Sequence, residues 1–261
     1  MVASEPLELV VYDEPGTCSY LPHQQWRLPL RLPVRLLTRE EFGIRLEEGD
    51  RRQGRLLYRT ACPSCNACEP IRIDVDDFVP SRTQRRIFRR GERLLQTTLR
   101  PIDVCPERVR LYNLHKHGRD LASGETQASM ESYRSFLGES CCESFEMVYR
   151  KDGETVGIAI VDRAEEALSA VYFYWNPDFE NISPGVYSIM KQVDLCKRLG
   201  LRHLYLGLYI GACKPMSYKA RFVPHERLIH GEWQRFDEVA SSDDESPFVT
   251  TPSDFPVPTP E

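Results

Sequence analysis

Between Ser144 and Ile210 the spacing of apolar positions changes several times, and each change marks an element. "SFEMVYR" and "TVGIAIVD" are apolar runs of strand length. They are separated by "KDGE", whose Asp152-Gly153 pair suits a tight hairpin. "ALSAVYFYW" predicts a third strand. In "SPGVYSIMKQVDLCKRLG" the apolar residues recur at helical spacing, with Ser183 as N-cap, Pro184 at the first helical position and Gly200 as the stop. "HLYLGLYI" returns to strand. Strand, helix, strand with short links predicts a parallel βαβ unit beside an antiparallel hairpin. Upstream, residues 81–137 are patterned mostly as helix, and residues 1–80 as short apolar strands between turns. The chain is therefore expected to be α+β. Its expected divisions are an N-terminal cysteine-containing domain over 1–80, a mostly helical basic segment over 81–143, a mixed-sheet domain over 144–232 and a disordered acidic tail over 233–261.

Charge changes this picture at one helix. "PSRTQRRIFRRGER" carries arginines at 82, 85, 86, 89, 90 and 93, the spacing that lines one face of a helix, and Ser81 with Gln84 forms a capping box. Like charges at i,i+4 repel. Such a face is either a solvated surface relieved by nearby carboxylates or a stripe that meets a polyanion. The net charge of −5 conceals this, because seven acids and no lysine or arginine fall between Asp237 and Glu261. That tail is also rich in Ser, Thr and Pro, a composition that does not pack. The rest of the chain is mildly basic. A 41% hydrophobic and 28% charged composition is that of a globular protein, and no apolar run approaches the ~20 residues of a membrane span. The N-terminus has no signal-peptide pattern, so a cytoplasmic setting is expected.

Nine cysteines without such a signal argue against a disulfide framework. Cys62, Cys65 and Cys68 form C-x-x-C-x-x-C, with Cys18 far upstream. The four suit a zinc ion or an iron–sulfur cluster, or else are buried or redox-active thiols. Cys105, Cys141, Cys142, Cys196 and Cys213 are expected to be core or incidental. Aromatics gather in two segments, Tyr172 to Trp175 and then Tyr205, Tyr209, Tyr218 and Phe222. They form core, or they floor a cleft that stacks an adenosine or aminoacyl group. Gly207, inside a strand, permits a close approach of a ligand or another backbone.

With these residues the chain resembles the aminoacyl-tRNA–protein transferases, bacterial leucyltransferases and eukaryotic arginyltransferases alike. The resemblance lies in "CSYLP", "LLYRTACPSCNACEPIRI" and "FVPSRTQRR", then in "VYFYWNPDFE", "SPGVYSIMKQVDLCKRLGLRHLYLGLYI" and "CKPMSYKARFVPHE", in that order over residues 10–232. It implies a C-terminal domain similar to the acyl-CoA N-acyltransferase (GNAT) fold. It also implies transfer of leucine or arginine from tRNA to the α-amine of proteins with acidic N-termini, and metal or cluster binding at Cys18, Cys62, Cys65 and Cys68. The chain departs from the pattern at Asn176, where the family has Asp, and in "CKPM", where Lys214 and Pro215 exchange places.

Aminolysis of an aminoacyl ester is downhill, so such a protein mainly has to orient two reactants, and the transfer requires no cofactor. The arginines at 82, 85, 86, 89, 90 and 93 are candidates for tRNA phosphates. A backbone N–H near Gly207, or the hydroxyl of Tyr172 or Tyr218, is a candidate for the oxyanion. Arg72, Lys219 and Arg221 are candidates for the acidic acceptor, and Tyr174, Tyr205 and Tyr209 for an aminoacyl pocket. Leucine is the expected donor, with arginine the alternative. An acetyl-CoA acetyltransferase is disfavoured, because [QR]-x-x-G-x-[GA] is missing from 144–232. A zinc-containing RNA-binding module would leave the C-terminal motifs idle.

Overall fold

The computed structural model describes residues 7–118 and 127–239. In chain order the elements are β1 (Glu8–Tyr12), β2 (Gly16–Thr17), β3 (Gln25–Trp26), β4 (Leu30–Pro33), α1 (Arg39–Glu47), β5 (Arg51–Gln53), β6 (Leu56–Tyr58), β7 (Glu69–Asp74), α2 (Arg82–Leu94), β8 (Gln96–Arg100), α3 (Pro106–Gly118) and α4 (Met130–Tyr133). A π-helical turn, Arg134–Gly138, leads to β9 (Ser144–Lys151), β10 (Glu154–Arg163) and β11 (Ala167–Trp175). After a 3-10 turn, Pro177–Ile182, come α5 (Pro184–Leu199), β12 (His203–Tyr209) and α6 (Lys214–Ser217). A second 3-10 turn, Tyr218–Arg221, precedes β13 (His225–Ile229) and β14 (Glu232–Phe236).

Eight strands form the main sheet in the order β14-β13-β7-β12-β11-β10-β9-β8, and four form a smaller sheet, β1-β4-β6-β5. The β9–β10 hairpin turns at Asp152 and Gly153, which hold φ of 51° and 87°, the left-handed values a two-residue turn requires. Only β11 and β12 run parallel among the neighbours of the main sheet, joined through α5 as the βαβ pattern predicted. Gly200 ends α5 at φ 65°. Ser183 departs from expectation: it stands at the N-cap position with φ 56°, and its hydroxyl makes no capping bond. The sheet also crosses the divisions read from sequence. β7, from within 1–80, lies between β12 and β13, and β8, from the helical segment, pairs with β9. β14 extends to Phe236, so the start of the stretch 233–261 expected as a disordered tail is a strand, and residues 240–261 lie outside the described residues.

Both faces of the sheet are covered. On one face α5 packs Val186, Tyr187, Met190 and Val193 over Leu168, Leu204 and Leu206, with Ile87 and Phe88 of α2 outside them. On the other, Val109 and Tyr112 of α3 with Tyr133 and Leu137 cover Ile158, Ile160, Tyr172 and Tyr174. The same face of β12 is covered instead by the N-terminal region: Phe42, Leu46 and Leu57 lie around Tyr205, and Trp26, Leu30 and Tyr58 around Leu208.

One ion pair locks the small sheet to the large one. Arg52 of β5 meets Asp162 of β10 through Nε and Nη2 at 2.7 and 2.8 Å, and neither side chain is exposed to solvent. Its Nη1 donates to the carbonyls of Gly54 and Glu139. Removing one partner strands a buried charge. Asp162→Ala is expected to lower unfolding free energy by about 3–5 kcal/mol in urea titration.

Candidate active site

The site begins where two strands part. β11 and β12 pair only from Ala167–Ser169 to His203–Tyr205, and their C-terminal halves, through Trp175 and Tyr209, diverge. Backbone groups on the parted edges need other partners. Lys219 Nζ donates to the carbonyl of Leu208 at 2.7 Å, and the backbone N–H of Trp175 donates to His115 Nδ1 at 3.3 Å. Both side chains are buried. His115 also lies against the Trp175 ring, centroids 4.1 Å apart. His115 carries no motif in the sequence: it is one of two histidines in the last turn of α3.

The register of β12 slips at its centre, between Tyr205 and Gly207 opposite β7, and Gly207 takes φ 87°. The slip turns Leu206 toward α5 and Leu208 toward the N-terminal region. The close approach expected at Gly207 is made by a side chain. A Cβ there would lie 1.6 Å from Nη1 of Arg51, so the guanidinium of β5 rests directly on this glycine. Lys219 feels that charge: burial first, and then Arg51, hold its amine well below the usual lysine range.

α2 lies along the open end of the parted strands. Near its start, Gln84 Nε2 donates to the carbonyl of Arg221, in the turn after α6; further along, Arg90 Nη1 donates to that of Asn181, in the turn after β11. The predicted capping box of Ser81 and Gln84 is formed. All six arginines are exposed, and among the described residues none is paired with a carboxylate. They fan out by angle. Arg82, Arg86, Arg89 and Arg93 border an open groove of about 960 Å³, Arg85 turns to the carbonyl of Pro80, and Arg90 to Asn181.

Other predicted residues are dispersed. Tyr172 and Tyr174 belong to the core under α3, where the Tyr174 and Tyr133 hydroxyls share a 2.5 Å hydrogen bond. Tyr218 and Tyr209 belong to the core on the α5 side, and Tyr205 to that of the N-terminal region. The three aminoacyl-pocket tyrosines therefore do not share one cavity wall, and the Tyr172 and Tyr218 hydroxyls arise on opposite faces. Arg72 is committed to structure. It meets Glu47 and Glu226 at 2.5 and 2.6 Å, donates to the Tyr205 hydroxyl and stacks 4.0 Å over Trp233. Asn176 caps the following turn, accepting from Asp178 N–H at 3.0 Å, a task an amide oxygen performs as well as a carboxylate. Lys214 is exposed at the start of α6.

Cys18, Cys62, Cys65 and Cys68 do come into one neighbourhood, and Cys213, expected to be incidental, joins them. Burial, and then the four other thiols, push Cys68 up to about 12. Thiols are suitable donors for zinc or an iron–sulfur cluster. As they stand, no three His, Cys, Asp or Glu side chains among the described residues form a group able to hold a metal ion.

The profile for the N terminus of arginine-tRNA-protein transferases matches residues 16–86, and that for the C terminus matches residues 107–229. The aspartate/glutamate leucyltransferase of Thiobacillus denitrificans is 37% identical over 220 residues, covering 84% of this chain and 91% of that protein.

The chain belongs to the arginine-tRNA-protein transferase family.

Its members are enzymes that move an aminoacyl group from tRNA to protein, and this chain is an aminoacyltransferase. Proteins of the same leucyltransferase name from Aeromonas salmonicida and Chromobacterium violaceum are 38% and 35% identical, covering 84% and 86% of this chain and 92% of each relative. Among solved structures, FemX aligns with TM-score 0.42 at 9% identity, covering 75% of this chain and 79% of that one. The L-PGS of Bacillus licheniformis aligns with TM-score 0.41 at 15% identity, covering 55% of this chain and 47% of that one. The α+β assignment rests on the mixed sheet itself.

Gly207→Ala tests the close approach. The added methyl group meets Arg51, and the backbone at φ 87° disfavours any side chain. Transfer kcat/KM is expected to fall about 100-fold from misplacement at the gap, while tRNA affinity, measured by filter binding, stays unchanged.

Proposed function

We propose that the protein transfers leucine from leucyl-tRNA to the α-amine of proteins that begin with Asp or Glu. One observation carries this reading: a helix face of arginines without carboxylate partners lies along the open end of two parted strands. The tRNA backbone lies on Arg82, Arg86, Arg89 and Arg93, and its acylated 3′ end enters the gap. The relatives are aspartate/glutamate leucyltransferases, which supports leucine rather than arginine as the donor and acidic residues as acceptors. Among the described residues no helix is long and apolar enough to cross a membrane, in keeping with a cytoplasmic enzyme.

In the reaction the acceptor ammonium first loses a proton. Its pKa near 7.7–8.0 leaves a useful fraction neutral at neutral pH. The nitrogen then attacks the ester carbonyl, the bond to the ribose oxygen breaks as the amide forms, and the proton lost by nitrogen ends on that oxygen. The protein's part is orientation, worth up to ~7–11 kcal/mol. No cofactor enters these steps. Cys18, Cys62, Cys65 and Cys68 are thiol donors of the kind a zinc ion or iron–sulfur cluster takes, but as they stand they form no such site, and no step of the transfer is routed through one.

The decisive assay offers radiolabelled leucyl-tRNA and arginyl-tRNA, side by side, to peptides beginning with Asp or Glu. Label from leucyl-tRNA alone is expected; label from arginyl-tRNA alone would replace the donor, and none from either would refute the reading. In the variant Arg82→Gln/Arg86→Gln/Arg89→Gln, tRNA binding should weaken. The slope of log affinity against log salt should become shallower by about 2–3, as three phosphate contacts predict.

A further inference from the structure

Most arginines of the N-terminal region follow a rule. Arg31, Arg45, Arg52, Arg59 and Arg72 are each at least half-buried or anchored, and each meets a carboxylate at 2.5–2.9 Å. Arg51 breaks it. Among the described residues it has no carboxylate partner, and its Nε is shut off from solvent without any hydrogen bond. A guanidinium is always charged, and sealing part of one from water without a counter-ion is costly. The residue as a whole remains partly exposed, so the outer edge, Nη1 and Nη2, is reachable.

Its position gives the vacancy meaning. The guanidinium rests on Gly207, beyond the last residue of β12 that pairs with β11, and therefore borders the gap in which acyl group and amine must meet. We propose that Arg51 receives the side-chain carboxylate of the acceptor's N-terminal Asp or Glu, end-on through Nη1 and Nη2. This rests on the transferase reading above and names the residue that selects the acceptor.

The carboxylate fits better than a phosphate of the tRNA. The exposed arginines of α2 lie on the α5 side of the sheet, where a hydrated polymer backbone can run. Arg51 comes from the N-terminal region on the opposite side, with one nitrogen already sealed. A single carboxylate on one or two methylene groups can enter there and leave its α-nitrogen in the gap. The fork of a guanidinium matches a carboxylate with two parallel hydrogen bonds. Lys219, buried alongside, is committed to the Leu208 carbonyl at 2.7 Å. Arg72, singled out from sequence for this task, is saturated by Glu47 and Glu226.

The test compares wild type, Arg51→Gln and Arg51→Lys on peptides that differ only in an N-terminal Asp or Asn, with leucyl-tRNA as donor. In wild type the Asp peptide should be strongly preferred. In Arg51→Gln, kcat/KM for the Asp peptide should fall about 100-fold, mainly through KM, so that the preference collapses, with tRNA affinity and its salt slope unchanged. Arg51→Lys, which keeps the charge without the fork, should recover about tenfold of that loss. Circular dichroism and thermal melts confirm that both variants are folded, and Arg51→Lys carries the comparison if Arg51→Gln is not. A retained Asp preference overturns the proposal. So does a weaker tRNA affinity with a salt slope reduced by about one, which would make the anion a phosphate. If wild type transfers leucine to neither peptide, the function reading itself has failed and this inference falls with it.

Discussion

A strand cannot leave its neighbour without leaving backbone groups behind, and the active site here is built from that constraint. After three paired residues β11 and β12 separate. The polar groups this frees are met by Lys219 at Leu208 and by His115 at Trp175. Each cap is a buried polar side chain brought from elsewhere in the chain, His115 from α3 and Lys219 from the turn after α6. The register slip at Gly207 completes the arrangement by bringing the backbone under Arg51. The gap is thus held open from both sides.

Charge is distributed to match. Half-buried arginines of the N-terminal region are consumed by carboxylates and serve assembly; Arg52 on Asp162 is the deepest case. The outward face of α2 and Arg51 both hold positive charge without a carboxylate partner among the described residues. They lie on opposite sides of the main sheet and suit different anions. An exposed row over an open groove suits a phosphate polymer, whose affinity comes from many screened contacts. A single, partly sealed guanidinium suits one small carboxylate, where desolvation strengthens each hydrogen bond.

Much of this was legible before any coordinates. The hairpin at Asp152-Gly153, the helix bounded by Pro184 and Gly200, and the capped arginine helix follow from periodicity and turn chemistry, which act over a few residues. The pattern also located Gly207 as a point of close approach. It did not reveal that β7 enters the main sheet, because pairing across more than a hundred residues leaves no local trace. The aromatic clusters misled for a related reason. Tyr172, Tyr174, Tyr205, Tyr209 and Tyr218 look alike as strand and turn residues, yet they divide among three cores on two faces.

The sequence by itself determined the elements, the family and the basic helix, since each is written in short-range spacing and in ordered motifs. Tertiary structure alone decided which cations remain available. Arg51 and Arg72 are both strand arginines near acidic residues, and nothing local separates them. Folding brings Glu47 and Glu226 to Arg72 and, among the described residues, brings no carboxylate to Arg51. An ion pair depends on distance through space, and only the packed sheet sets that distance.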